Sequence, residues 1–406
     1  MRFLLSIYLF VGRLRNRLRM DGVDLGDNQE NTETTSPWIK SLRYLKVKKL
    51  SQIEFILFAF AMILGNRTSG WNEGLKYGYY SFLFNLFWSG AGYISLCLCM
   101  AEMTSTLPFS GGIFGFVRAC IGPYNGFLVA CCEFIYCTTY IVIKVIHLTN
   151  IPTLDTDQTA NKVTNSLSIV ATFIICLLFN IIGGKPLFTL TSFIGCFVFI
   201  LLMIYIIGTV SNSNSSNVSF NHYGGPMIPM SWDNIMGARF YAGAQYNGLQ
   251  YFPLLSSLLE NPKEYLPRLL LITITIFIIM SVFVTTTAVA QEPGGDAVSH
   301  AVLPLQYGFQ RIFQGNISAL KWLDAPCQYG AIYCFFYCSG QQLFALSRSG
   351  LMPTFLDRTT PGLGTPYLCY CLSASIGILL SIFTLYNEEL LNEIKGISLI
   401  ACFYNF

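Results

Sequence analysis

The chain of 406 residues is short of charge: Asp, Glu, Lys and Arg together make up 11% of it. A soluble domain carries about 25%. A water-soluble protein of this length needs more polar surface, so composition excludes a soluble enzyme, a nucleic-acid binder and a disordered chain. The net charge of +3 is too small to point to a polyanionic partner. Histidine is scarce too. His147, His222 and His300 lie far apart, and no His-Glu-x-x-His, Gly-x-Asp pair or nucleophile elbow occurs. A hydrolase inside a membrane needs such groups close together, so no catalytic residue, metal ligand or cofactor is assigned. Cysteine is plentiful at 14, but the residues sit inside apolar runs. Cys131-Cys132 and the Cys334/Cys338 pair lack the spacing of a zinc site, and all are read as packed or lipid-facing side chains.

What is abundant is apolar: 53% hydrophobic residues and a mean hydropathy of +0.53. Apolar runs occupy 51–72, 79–101, 118–148, 165–183, 187–210, 234–257, 267–290, 326–348 and 366–386. Each is near the ~20 residues that cross a bilayer as a helix. They are too long and unbroken for barrel strands. The chain reads as an all-α polytopic membrane protein, with residues 51–406 as its membrane domain. A tenth run starts near Glu393 and is met by the last residue, Phe406, so the tenth helix is read as cut short.

Residues 1–50 are read as a cytoplasmic tail. Residues 1–19 pair a short apolar piece with Arg13, Arg15, Arg17 and Arg19, and Met20 is an alternative start. Residues 20–36 are polar and acidic, and 38–50 are basic and amphipathic, suited to a membrane surface. With that tail inside, the inner segments hold Lys40, Arg43, Lys46, Lys48, Lys49, Arg118, Lys185, Lys263, Arg268, Arg348 and Arg358. The outer ones hold Lys76, Lys162, Arg311, Lys321 and Lys395. That is the positive-inside bias. The glycosylation sequons at Asn214, Asn217 and Asn316 fall in loops this topology places outside.

Four strings carry a resemblance. They are Gly65-Asn66-Arg67-Thr68-Ser69-Gly70-Trp71-Asn72-Glu73-Gly74-Leu75; Ala101-Glu102 through Gly111-Gly112, continued by Gly122-Pro123; Glu260-Asn261-Pro262-Lys263; and Gln342 through Pro353, with Thr365-Pro366. Together they resemble the amino acid–polyamine–organocation transporter superfamily, and the Gly-Trp-Asn-x-Gly-Leu string is most similar to its ethanolamine permease-like branch. The resemblance implies the LeuT-type fold: two inverted five-helix repeats, the first and sixth helices broken at mid-membrane. It also implies secondary transport of amino acids or related amines by alternating access across the plasma membrane. A non-transporting nutrient sensor, or an inactive truncated copy on the same scaffold, stands as the alternative. The implied partners are the small-molecule substrate, a coupling proton or cation, and the lipid bilayer.

A broken helix suits such a substrate. The exposed N–H groups of one half attract a carboxylate, and the carbonyls of the other hold an ammonium. Gly65 and Gly70 flank one break, and Ala242 through Gln250 is the polar, Gly-bearing interruption of the sixth run. By resemblance the substrate site is Gly65, Asn66, Arg67, Thr68, Ser69, Gly70 and Trp71, facing Tyr246, Asn247, Gly248 and Gln250. Trp71, Tyr246 and Tyr251 are candidate walls. The chain departs from the family at Asn66, Arg67 and Gln250, where relatives carry Gly, an acidic residue or Gln, and Glu. This exchange favours a substrate with a carboxylate over a bare amine. Arg67 either clamps that carboxylate or snorkels outward against Trp71.

The third run holds Glu133 and Lys144 on one helix face, separated by a rise of about 16 Å, too far to pair. Glu133 is the candidate for ion coupling, the alternative being a structural hydrogen bond. Lys144 and His147 are read as snorkelling to the outer interface. Pro108, Gly111 and Gly112 predict a re-entrant turn, and Asn261-Pro262 a stop to the sixth helix.

Overall fold

The computed structural model describes residues 49–106, 111–151, 161–210, 230–301, 303–314, 320–360 and 363–404. The expectations for residues 1–48, Pro108 and the sequons Asn214, Asn217 and Asn316 lie outside the described residues.

The first span opens with α1 (Gln52–Ile63). Ser51 caps it: its Oγ accepts from the Glu54 N–H at 3.2 Å, and Glu54 Oε2 accepts from the Ser51 N–H at 2.8 Å. This reciprocal capping box satisfies two donors that a helix start leaves open. After Ile63 the chain tightens into a 3-10 turn, Leu64–Arg67, runs irregularly through Gly70, and forms a second 3-10 turn, Asn72–Tyr77. Then come α2 (Tyr79–Thr106), the short α3 (Gly112–Cys120), α4 (Pro123–Asn150), α5 (Asn161–Ile182) and α6 (Gly184–Val210).

The sixth span repeats the pattern of the first. α7 (Trp232–Gly243) gives way to the 3-10 turn Ala244–Tyr246, then to Gly248, then to the 3-10 segment Leu249–Leu258. α8 (Pro262–Ala290) follows, with Asn261 at its N-cap and Pro262 at its first turn. The Asn-Pro pair therefore opens the seventh span, where a missing N–H costs nothing; the sixth has already ended at Leu258. Two short helices, α9 (Gly295–His300) and α10 (Gln306–Phe313), precede α11 (Asp324–Arg348), α12 (Tyr367–Tyr386) and α13 (Glu388–Tyr404).

Among the described residues, α2, α4, α5, α6, α8 and α12 are each long and apolar enough to cross a membrane. Lipid-facing side chains ring the outside, including Trp88 (67% exposed), Phe193 (73%) and Phe383 (64%). Such a belt of exposed large apolar groups belongs in hydrocarbon. The first and sixth spans fall short as helices because each is interrupted. α11 falls short because it is polar, and it can be so because 19 of its 25 residues are buried inside the bundle. Close backbone approach sets the packing. A Cβ on Gly195 of α6 would sit 1.9 Å from the Leu57 carbonyl oxygen of α1. Small residues are what permit such contacts between membrane helices.

Candidate functional site

The two interruptions lie beside each other, and one side chain ties them together. Arg67 is fully buried. Its Nη1 donates to the Ile63 carbonyl at 2.9 Å and to the Gln245 carbonyl of the other break. Its Nη2 donates to the Phe277 carbonyl at 3.2 Å and the Ser281 hydroxyl at 2.5 Å, both on α8. The Tyr246 and Phe277 rings lie 5.7 and 5.6 Å from the guanidinium carbon. Carbonyls freed by breaking helices need donors, and in lipid only protein can supply them. Arg67 therefore neither snorkels outward nor lines the cavity described below. The Trp71 indole N–H donates to the Arg67 carbonyl at 2.8 Å and locks the turn.

The rest of the first break is held by α11. Gln328 Nε2 donates to Thr68 Oγ1 at 3.2 Å, Ser69 Oγ at 2.9 Å and Asp324 Oδ1 at 2.8 Å. Thr68 Oγ1 donates to the Gly65 carbonyl at 2.7 Å. Gly65 lies against α11, where a Cβ would come 2.8 Å from the Cys327 carbonyl oxygen. In the second break Gly248 has φ of +119°, a conformation that favours glycine, and its N–H donates to Gln250 Oε1 at 2.9 Å.

A cavity of about 130 Å³ lies between the breaks. The first break lines it with Asn66, Ser69, Gly70, Trp71 and Glu73, and the second with Ala244, Gln245 and Asn247. Helix α4 supplies Tyr136, Tyr140, Ile143 and Lys144; α7 supplies Phe240 and Tyr241; α13 supplies Lys395 and Ser398. Among the described residues, Asn66 Nδ2 and both amide atoms of Gln245 on the cavity wall are without a partner. Buried polar atoms normally find partners, so unpartnered ones on a cavity wall are positions for a ligand. Asn66 Oδ1 accepts from the Tyr140 hydroxyl, and Asn247 Oδ1 from the Tyr93 hydroxyl, which orients both amides.

Of the residues expected at the site, the structure thus brings Asn66, Ser69, Gly70, Trp71 and Asn247 to the cavity. Gly65, Arg67, Thr68, Tyr246, Gly248 and Gln250 support the breaks behind it. The Tyr246 hydroxyl donates to the Leu86 carbonyl at 3.3 Å. Tyr251 stacks on Tyr136 with ring centroids 6.3 Å apart, against Phe335. Glu133 is buried, and its Oε2 accepts from Gln342 Nε2 at 2.6 Å, while Oε1 has no partner. The Tyr251 hydroxyl donates to the Glu133 carbonyl at 3.2 Å.

The snorkelling readings of Lys144 and His147 are corrected. Lys144 is 7% exposed and turns to the cavity, with its Nζ 5.5 Å from the Tyr140 ring centroid. His147 Nε2 meets Asp324 Oδ2 at 3.1 Å. His147 is held by Asp324 of α11, and Lys144 lies against the Tyr140 ring facing the cavities, so neither side chain is spent on reaching the lipid interface. A cation over a ring gains about 0.5–2 kcal/mol. Burying an ion costs several kcal/mol, so the ring alone does not offset the burial of Lys144.

A second cavity of about 360 Å³ adjoins the first through Ser69, Gly70, Glu73, Ile143, Lys144 and Lys395. It reaches the exposed Lys76 and His300. The opposite end is sealed. Phe55 packs edge-on against Phe252 at 5.2 Å, and the Leu50 N–H donates to the Leu258 carbonyl at 2.7 Å.

Sequence reasoning missed the α4 contribution, although the signal was present: Glu133, Tyr136, Tyr140, Lys144 and His147 recur at three- and four-residue steps, one helix face. Among the described residues no group of acidic, His and Cys side chains has metal-binding geometry.

Two solved structures place this arrangement. A Na+-coupled sialic acid symporter, in a substrate-bound outward-open state, superposes with a TM-score of 0.57 at 11% identity, covering 88% of this chain and 82% of that one. MhsT in complex with L-phenylalanine superposes with a TM-score of 0.55 at 16% identity, covering 82% and 79%. At these identities the likeness shows the fold, which is the LeuT type. No curated protein matches the sequence. The amino acid permease sequence profile matches residues 50–406, from the foot of α1 through both breaks to the end of α13. The paired breaks are thus those of a membrane transporter, and the chain belongs to the amino acid permease family.

Proposed function

We propose that the protein is a secondary active transporter of amino acids or related amines, working by alternating access. The substrate sits in the cavity between the breaks. The observation that carries this is the convergence there of Asn66 Nδ2 and the Gln245 amide, which have no protein partner, from two separate interrupted helices. The backbone beside them supplies N–H groups and carbonyls suited to a zwitterion. The Gly-Trp-Asn-x-Gly-Leu string supports kinship with the ethanolamine permease-like branch. Arg67 and Gln250 remove acidic character from the breaks, which favours a substrate bearing a carboxylate. Residues 51–406 are the transporter domain and 1–50 a cytoplasmic tail, and the membrane is the plasma membrane. The cavity then opens to the outside and the Phe55–Phe252 end faces the cytoplasm. Glu133 is the candidate coupling group: buried, half-satisfied and one helix turn from the cavity wall at Tyr136.

Uptake into proteoliposomes tests the reading, with a panel of labelled amino acids and ethanolamine under imposed proton or sodium gradients. Saturable, gradient-driven uptake of an amino acid is the expected result. Ethanolamine outcompeting every amino acid overturns the carboxylate preference. Binding without uptake replaces the transporter with a sensor.

A further inference from the structure

Among the described residues Lys144 has no carboxylate within ion-pair distance. Among the described residues its Nζ makes no hydrogen bond and no ion pair, and only the Tyr140 ring lies over it. Yet it is more than nine-tenths buried and lines both adjoining cavities. A buried ammonium in a low-dielectric site attracts an anion strongly, because little water screens it.

The carboxylates around it are already engaged. Asp324, the next charge in the field of Lys144, is buried and bonded to His147 at 3.1 Å and Gln328 at 2.8 Å. Glu73 on the first break pairs with Lys395 of α13 at 3.9 Å. Facing the two cavities are thus Lys144, Lys395, Lys76, His147 and His300 against Glu73, with Asp324 behind His147. The mouth holds more cations than anions. In the transporter reading an amino acid's own ammonium and α-carboxylate are served by the backbone of the breaks, by Asn66 and by Gln245. Lys144 is surplus to that task.

We propose that the cavity selects amino acids bearing a second acid group, whose side-chain carboxylate pairs with Lys144. The loosely paired Lys395 draws the anion in from the outer cavity. This rests on the transporter reading and narrows its substrate.

The test is equilibrium binding to the purified full-length protein. The probes are L-glutamate, L-aspartate, L-glutamine, L-asparagine, L-alanine and ethanolamine. Wild type is compared with Lys144→Met and Lys144→Arg, and thermal unfolding confirms that each is folded. The expected result is that an acidic amino acid binds roughly 30-fold or more tightly than its amide, the usual scale for a desolvated charge pair. Lys144→Met abolishes that preference by weakening the acids far more than the amides and alanine, and Lys144→Arg restores part of it. Amides binding as tightly as the acids in wild type overturns the proposal while the transporter reading stands. Equal loss of acidic and neutral amino acids in folded Lys144→Met also overturns it, placing Lys144 at the α-carboxylate. A wild type that binds no amino acid overturns both readings. Should Lys144→Met fail to fold, the wild-type acid-to-amide ratio and the Lys144→Arg variant decide.

Discussion

The two broken spans share a pattern and differ in how they are held. The first break is stabilised by side chains. Arg67, Thr68 and Trp71 each bond to backbone carbonyls of that break, and Gln328 reaches in from α11. The second break leans on backbone geometry, at Gly248, and on a donor borrowed from the first, since Arg67 also holds the Gln245 carbonyl. The first break is therefore the structural keystone of both. In the second, Tyr246, Asn247 and Gln250 are bonded, while among the described residues both amide atoms of Gln245 have no partner. In an inverted repeat the same irregularity thus divides the labour. The first copy carries more of the architecture, and both present an unpartnered amide to the cavity, Asn66 from the first and Gln245 from the second.

The largest effect that would break this comparison is expected from Arg67→Met. The substitution keeps the apolar stem but leaves carbonyls of both breaks and of α8 without a donor. Each buried unsatisfied group costs about 1–3 kcal/mol. Loss of a monodisperse, folded protein in fluorescence-detected size exclusion is the expected outcome; a stable protein would show that the breaks stand independently.

Gly248→Ala comes next. It forces a left-handed backbone on an L residue and brings a Cβ to 3.0 Å from Ile63 Cγ1. A cost of about 1–3 kcal/mol is expected. It should exceed that of Gly70→Ala, where φ is +85° but no atom lies within 4 Å. Melting temperatures of the two variants, side by side, check the order.

Gln328→Leu removes two hydrogen bonds to the first break and leaves Asp324 one donor fewer. A loss of about 1–3 kcal/mol is expected, together with weaker substrate binding, because Ser69 on the cavity wall loses its anchor. Calorimetry and ligand binding on one preparation read both. An unchanged affinity would place Ser69 outside recognition.

The smallest stability effect is expected for Glu133→Gln, which retains the acceptor for Gln342. Its signature is functional: gradient-driven accumulation falls while exchange across the membrane persists. Full accumulation in this variant would remove Glu133 from coupling.

Much of the site was legible along the chain. Asn66, Ser69, Gly70 and Trp71 stand in one uninterrupted polar string inside an apolar run, and polar backbone at that depth survives only beside a cavity. Arg67, in the same string, was not legible. A long cation can reach outward, clamp a ligand or cap freed carbonyls, and nothing local distinguishes these. Lys144 was misread for the same reason: whether it can snorkel depends on the helices beside it. Lys395 lies in α13, remote in sequence from both breaks, and only packing of α13 on α4, through Ile394 against Val142 and Ile146, brings it to the mouth.

Beside the two breaks that the family resemblance implied, the sequence by itself determined the solvent of this protein, its helical class and the approximate positions of its spans. Those follow from hydropathy and from the backbone's need for hydrogen bonds, which are properties of contiguous residues. The tertiary structure alone decided which long side chains serve the architecture and which face the cavity. That choice depends on partners brought together from remote spans, and on whether each buried charge meets a carbonyl, a carboxylate or open space.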